Sequence, residues 1–107
     1  MKINVGVIFG GRSVENEISV ITAAQTMAAM DTQKYNIVPI YISKEGRWYT
    51  GDKLRTTDNY RDMNALLASV EEVYFRPIFG DNKLYKVRKP LFGSDVVTTI
   101  DVILPAL

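Results

Sequence analysis

Within the stretch Gly10-Gly11-Arg12-Ser13-Val14-Glu15-Asn16-Glu17 stand two glycines, a hydroxyl and two carboxylates. A carboxylate held at the end of a strand can accept from an ammonium or a hydroxyl, which is substrate-binding chemistry. The chain has no histidine and no cysteine. The commonest general base, thiolate chemistry and zinc-type ligand clusters are therefore unavailable, and acid–base work falls to Asp, Glu, Lys or Tyr. No metal ligands are expected. Two nucleotide motifs are also excluded. Gly10-Gly11-Arg12-Ser13-Val14-Glu15 lacks the third glycine of a dinucleotide loop, and no Gly-Lys-Ser/Thr ending makes a Walker loop.

The elements that must position these residues follow from patterning. Ile3 to Phe9 is almost continuously apolar and β-branched, which suits a parallel strand covered on both faces. Gly10-Gly11 breaks it. Ser13 reads as an N-cap, although Asn16 stands where a capping box would want Glu or Gln. Val14, Ile18, Ile21, Ala24 and Ala28 recur at steps of three and four, predicting an amphipathic helix to about Met30. Asn36 to Ile42 predicts a second strand, placed at an edge or made irregular by Pro39, which lacks a donor. Strand, helix and strand make a right-handed βαβ unit.

Beyond it, Arg47-Trp48-Tyr49 predicts a short strand in a hairpin. Gly51 to Asp58 reads as irregular and Asp62 to Val70 as a short helix. Glu72 to Phe75 reads as a strand, with Phe79-Gly80-Asp81-Asn82-Lys83 as a hairpin turn. Ile100 to Leu104 predicts a buried strand. The class is α/β, a three-layer domain with a mainly parallel sheet. Sites in such sheets lie in the crevice beyond a strand's carboxyl end, here the Gly10–Glu15 turn.

The 107 residues, 47% hydrophobic, suit one globular domain over 1–107, and no linker or repeat divides it. A net charge of +1 excludes strong steering to nucleic acid or an anionic membrane. Lys83, Lys86, Arg88 and Lys89 read as a solvated hairpin face. Tyr74, Phe75, Phe79, Tyr85 and Phe92 read as a secondary apolar cluster or a dimer contact. No signal peptide or membrane-length apolar run is present, which fits a cytoplasmic protein.

Position alone gives Glu15 two readings. The first is an acid stabilising its helix start, where acids are enriched. The second is a carboxylate offered to a ligand's ammonium or hydroxyl. An acid in the first turn also argues against a phosphate there. Glu17, two residues on, points to another side of the helix as a surface or ion-pair residue.

Phe9-Gly10-Gly11-Arg12-Ser13-Val14-Glu15-Asn16-Glu17-Ile18-Ser19-Val20 closely resembles the N-terminal signature of the D-alanine–D-alanine ligases, Gly-Gly-x-Ser-x-Glu-x-Glu-(Val/Ile)-Ser. Lys34-Tyr35-Asn36, Pro39-Ile40-Tyr41-Ile42, Gly46-Arg47-Trp48 and Asp101-Val102-Ile103-Leu104-Pro105-Ala106-Leu107 are similar to later stretches of the same domain, in the same order. Asn16 departs from the His or Arg often found there and reads as tolerated variation. The resemblance implies a Rossmann-like domain preceding ATP-grasp domains, which lie outside this sequence. It implies that Glu15 binds the ammonium of the first D-alanine and takes part in catalysis. It implies that Ile18 lines the pocket for the methyl, a role compatible with plain core packing. Gly10 and Gly11 would shape the turn.

The implied activity is ATP- and Mg2+-dependent dipeptide synthesis for peptidoglycan precursors by a cytoplasmic homodimer. Both cofactors would be held by the other domains, so this chain alone is expected to be inactive. Two alternatives stay open. One is a ligase making D-alanyl-D-lactate or D-alanyl-D-serine. The other is a non-catalytic Rossmann-like binding module.

Overall fold

The β-branched run at the N-terminus forms β1, Ile3–Gly10. In this computed structural model, which describes residues 1–12 and 15–106, it is followed by α1 (Asn16–Ala29), β2 (Tyr35–Ile42) and β3 (Trp48–Thr50). Two 3₁₀ turns (Asp52–Arg55 and Thr57–Arg61) lead to α2 (Met63–Ala68). The strands β4 (Glu71–Phe75), β5 (Lys83–Lys86), β6 (Val96–Thr99) and β7 (Val102–Pro105) complete one seven-stranded sheet. Asp62 caps α2, its Oδ1 accepting from the Ala65 N–H at 3.1 Å.

The sheet order is β6-β5-β4-β3-β2-β1-β7. β1 pairs in parallel with β2 over eight residues, from Ile3 opposite Tyr35 to Gly10 opposite Ile42, and in parallel with β7. All other neighbours are antiparallel. The sheet is therefore mixed rather than mainly parallel, with its parallel part confined to β2-β1-β7. The rest is a meander, because short turns such as Ser43–Arg47 can only return the chain antiparallel.

The strand period of two divides the core. Val5, Val7, Phe9 and Tyr41 face α1 and α2 and pack with Val20, Ala23, Met27, Leu54 and Leu66. On the other face Ile40, Val73, Leu84 and Ile100 form a second cluster with Ile8, Val38, Trp48 and Phe75. Among the described residues no helix covers that face. Only Ile100 and Asp101 separate β6 from β7, and three residue steps span at most about 11 Å. Six flat strand spacings would need about 29 Å. The sheet therefore curls until its β6 corner meets β1 and β7. Asn4 fastens the corner. Its Nδ2 donates to the Thr99 carbonyl at 2.8 Å, and its backbone N–H donates to Asp101 Oδ2 at 2.8 Å.

Three expectations need correction. β2 is not an edge strand: it lies between β1 and β3. Pro39 is tolerated because β3 begins pairing only at Ile40, and the Pro39 carbonyl on that side accepts from Thr50 Oγ1 at 2.7 Å. The C-terminal strand is not buried. β7 starts at Val102, is exposed along its length and forms a sheet edge, while Ile100 before it supplies the burial. The third concerns α1. Its buried stripe is Asn16, Ser19, Val20, Ala23 and Met27. The apolar stripe through Ile18 and Ile21 faces outward; Val14 of that stripe lies outside the described residues. Two polar side chains displace it from the sheet because they serve backbone groups there.

Candidate functional site

Everything at the carboxyl end of β1 hangs on two glycines and two buried polar side chains. Gly10 and Gly11 have φ of 90° and 107°, the left-handed region that L side chains avoid. Gly10 is constrained further: a Cβ there would overlap the Ile42 carbonyl oxygen and stand 2.7 Å from the Tyr41 ring. Gly11 has open space around that position, so only its backbone conformation demands glycine. Its N–H donates to the Ile42 carbonyl at 2.8 Å, tying the turn to the end of β2.

Asn16, the first residue of α1, is 2% exposed. Its Nδ2 donates to the carbonyls of Gly11 (2.6 Å) and Ile42 (3.2 Å), and its Oδ1 accepts from the Tyr41 hydroxyl at 2.9 Å. Buried amides need such partners. Ser19, one turn on, accepts from the Gly10 N–H at 2.9 Å and donates to the Ala106 carbonyl at 2.8 Å. Together they stitch the first turn of α1 to β1, β2 and residue 106. Neither role is visible in a motif, since the partners lie up to 87 residues away.

Glu15 occupies the N-cap position, one residue before the predicted first-turn placement, and its carbonyl accepts the first helical bond from Ser19 at 3.0 Å. Ser13, the predicted cap, lies outside the described residues. Glu15 is exposed, and Ile18, three residues on, is 64% exposed. Residues three apart on a helix are neighbours, so the carboxylate and the branched apolar group share one outward flank. Core packing, the compatible alternative for Ile18, is overturned by that exposure. Glu17 points elsewhere, as expected, and pairs with Lys44 at 3.6 Å.

On the opposite flank of α1 a cavity of about 530 Å³ opens between Asn16, Val20 and Tyr41 and the Thr57–Leu67 segment. Burial holds the Tyr41 phenol above its ordinary value, with the Glu45 and Glu17 charges adding and the Asn16 bond opposing. Burial, and secondarily Tyr41, pushes Tyr60 well above the phenol range.

The remaining predicted groups separate. Tyr85 is buried and stacks on Tyr74 (5.6 Å between centroids), with the Arg76 guanidinium 3.9 Å over its ring. Phe79 and Phe92 are fully exposed, so the five aromatics do not form one cluster. Lys86 pairs with Glu71 at 3.9 Å on the solvated hairpin. Among the described residues no three His, Cys, Asp or Glu side chains converge on a metal position, and no helix is long and apolar enough to cross a membrane.

A glycine turn that closes β1 against β2, with a carboxylate at the head of α1, defines an α/β domain with a crevice at the carboxyl end of its central parallel strand. Residues 4–107 match the family described as the D-ala D-ala ligase N-terminus, and the chain belongs to that family. The D-alanine–D-alanine ligase of Bacillus pumilus is 39% identical over 104 residues, covering 89% of this chain and 29% of that protein. That of Geobacillus thermodenitrificans is 36% identical over 110 residues, covering 100% of this chain and 28% of that protein. The chain thus spans less than a third of these relatives. Among solved structures, the D-alanine–D-alanine ligase from Coxiella burnetii superposes with a TM-score of 0.71 at 27% identity, over 95% of this chain and 27% of that one. The VanG D-Ala:D-Ser ligase from Enterococcus faecalis gives 0.72 at 21% identity, covering 98% of this chain and 29% of that one, a likeness of fold.

Proposed function

We propose that this chain is the N-terminal, substrate-side domain of an ATP-dependent D-alanine–D-alanine ligase of peptidoglycan precursor synthesis. The exposed Glu15–Ile18 pair carries the reading. In it, Glu15 accepts from the ammonium of the first D-alanine, and Ile18 contacts the methyl. An ammonium enclosed in a closing site needs a carboxylate partner, because its unpaired burial is costly. Gly10 and Gly11 bring the backbone close to the substrate, and Asn16 and Ser19 hold the carboxylate's helix in place. Family membership supports the rest. ATP and Mg2+ are held by the ATP-grasp domains of the full-length enzyme, which works in the cytoplasm as a homodimer. The 107 residues alone are inactive.

The test uses the full-length enzyme. Glu15→Gln, which keeps the shape and removes the charge, raises the KM for the first D-alanine about tenfold or more, the worth of one charge-assisted hydrogen bond. Ile18→Ala raises it less. An unchanged KM in Glu15→Gln overturns the assignment. Parallel assays with D-serine or D-lactate as second substrate separate the ligase types. D-Alanine-dependent ATP turnover by the 107-residue chain alone would contradict its inactivity.

A further inference from the structure

The cavity on the other flank of α1 has no part in that reading. Its wall includes Val20 and Ile21 of α1 and, across from them, Met63 and Leu67 of α2, but neither Glu15 nor Ile18. On a helix of 3.6 residues per turn, Asn16 and Val20 lie on the flank away from Glu15 and Ile18, with Ile21 between the two flanks at the cavity's outer margin. The two places are separate.

Three features define what fits. The volume, about 530 Å³, lies within the range of small-molecule sites. Tyr41 and Tyr60 also line it, their rings edge to face with centroids 5.4 Å apart, a surface that suits a bulky apolar or aromatic group. The charged lining residues balance: Glu17 and Glu45 against Lys44 and Arg61. Lys44 pairs with Glu17 and Arg61 with Asp58, both at 3.6 Å and both strongly exposed. Exposed pairs are worth little, so a ligand bringing one charge of each sign can replace them at small cost. Both tyrosine hydroxyls already donate, to Asn16 Oδ1 and to the Leu54 carbonyl, and each oxygen keeps a lone pair for a ligand N–H. A net-neutral rim around an apolar, aromatic interior disfavours a plain cation or anion and matches a zwitterion.

We propose that this cavity binds a free amino acid with a large apolar side chain, its side chain against Tyr41, Tyr60 and Leu67 and its ammonium and carboxylate between the acidic and basic rim residues.

Isotope-labelled chain titrated with phenylalanine is the direct test, with phenethylamine, phenylacetate and benzyl alcohol as cation, anion and neutral controls. Phenylalanine produces saturable millimolar shifts at Val20, Tyr41, Tyr60 and Leu67 and leaves Ile18 unmoved. Phenethylamine and phenylacetate, each with one charge-assisted contact fewer, bind about tenfold more weakly, and benzyl alcohol, with two fewer, more weakly still. The double variant Glu17→Gln, Arg61→Gln changes only exposed side chains and weakens phenylalanine by at least as much. Three outcomes overturn the proposal: no saturable shift, benzyl alcohol binding as well as phenylalanine, or shifts centred on Ile18. D-Alanine in the same titration moves Glu15 and Ile18 if the ligase reading holds, so the two can fail independently.

Discussion

The Tyr41 hydroxyl donates to Oδ1 of Asn16 across 2.9 Å of buried space, joining the second strand to the first residue of the helix that carries Glu15. The same Asn16 amide donates to the Gly11 and Ile42 carbonyls, so one side chain fixes the glycine turn, the end of β2 and the helix start against each other.

Asn16→Ala should destabilise the domain by about 1–3 kcal/mol. It leaves the Gly11 carbonyl and the Tyr41 hydroxyl without their partner in a buried place. Asn16→Asp should be at least as damaging at neutral pH, because a carboxylate faces two carbonyls to which it cannot donate. Urea unfolding monitored through Trp48 measures both. An Ala variant within ~0.5 kcal/mol of the parent, the range of ordinary surface changes, would show that the clamp carries no energy.

The two glycines should respond differently to alanine. Gly11→Ala meets only the cost of a left-handed residue, about 1–2 kcal/mol. Gly10→Ala adds a clash with the Ile42 carbonyl and the Tyr41 ring, neither of which can retreat from the core, and should cost clearly more. Equal losses in denaturant midpoint would contradict the steric argument.

Alkaline stability follows from Tyr60. Its phenol titrates higher in the folded chain than the unfolded value of about 10, because burial disfavours the phenolate. The folded state therefore holds a proton that the unfolded state releases. The stabilisation is complete below pH ~10 and falls above it by up to ~1.4 kcal/mol per pH unit for this one group. Tyr60→Phe loses the hydroxyl's 2.8 Å bond to the Leu54 carbonyl, which lowers stability at every pH, but its alkaline slope should be shallower by up to one proton. Stability measured between pH 9 and 11 decides it, and parallel slopes would count against the assignment.

The strand, turn and helix at the N-terminus were legible because local signals agree there: a β-branched run, two glycines and helical spacing. Glu15 and Glu17 could be separated by helix geometry alone. The helix's inward face could not. The apolar residues at 18 and 21 have the right spacing for a core stripe, yet Asn16 and Ser19 face inward because backbone groups of Gly10, Gly11, Ile42 and Ala106 require them. Those partners come from distant parts of the chain, so no window of sequence contains the reason. β6, which includes Thr98 and Thr99, gives no apolar run to detect. The curl of the sheet becomes derivable only once β6 and β7 are known to be opposite edges joined by two residues.

That curl divides the pairings into local ones and one distant closure. Every strand pairing except β1 with β7 joins consecutive strands, so the meander can zip up locally at small loop-closure cost. The β1–β7 pairing closes a loop of nearly the whole chain, and the Asn4–Asp101 bonds at 2.8 Å and the Ser19–Ala106 bond at 2.8 Å form only with it. Long-range closures of this kind slow folding. The longest loop closure in this domain is then the docking of one edge strand, and that same closure supplies the Ser19–Ala106 bond on the helix that carries Glu15.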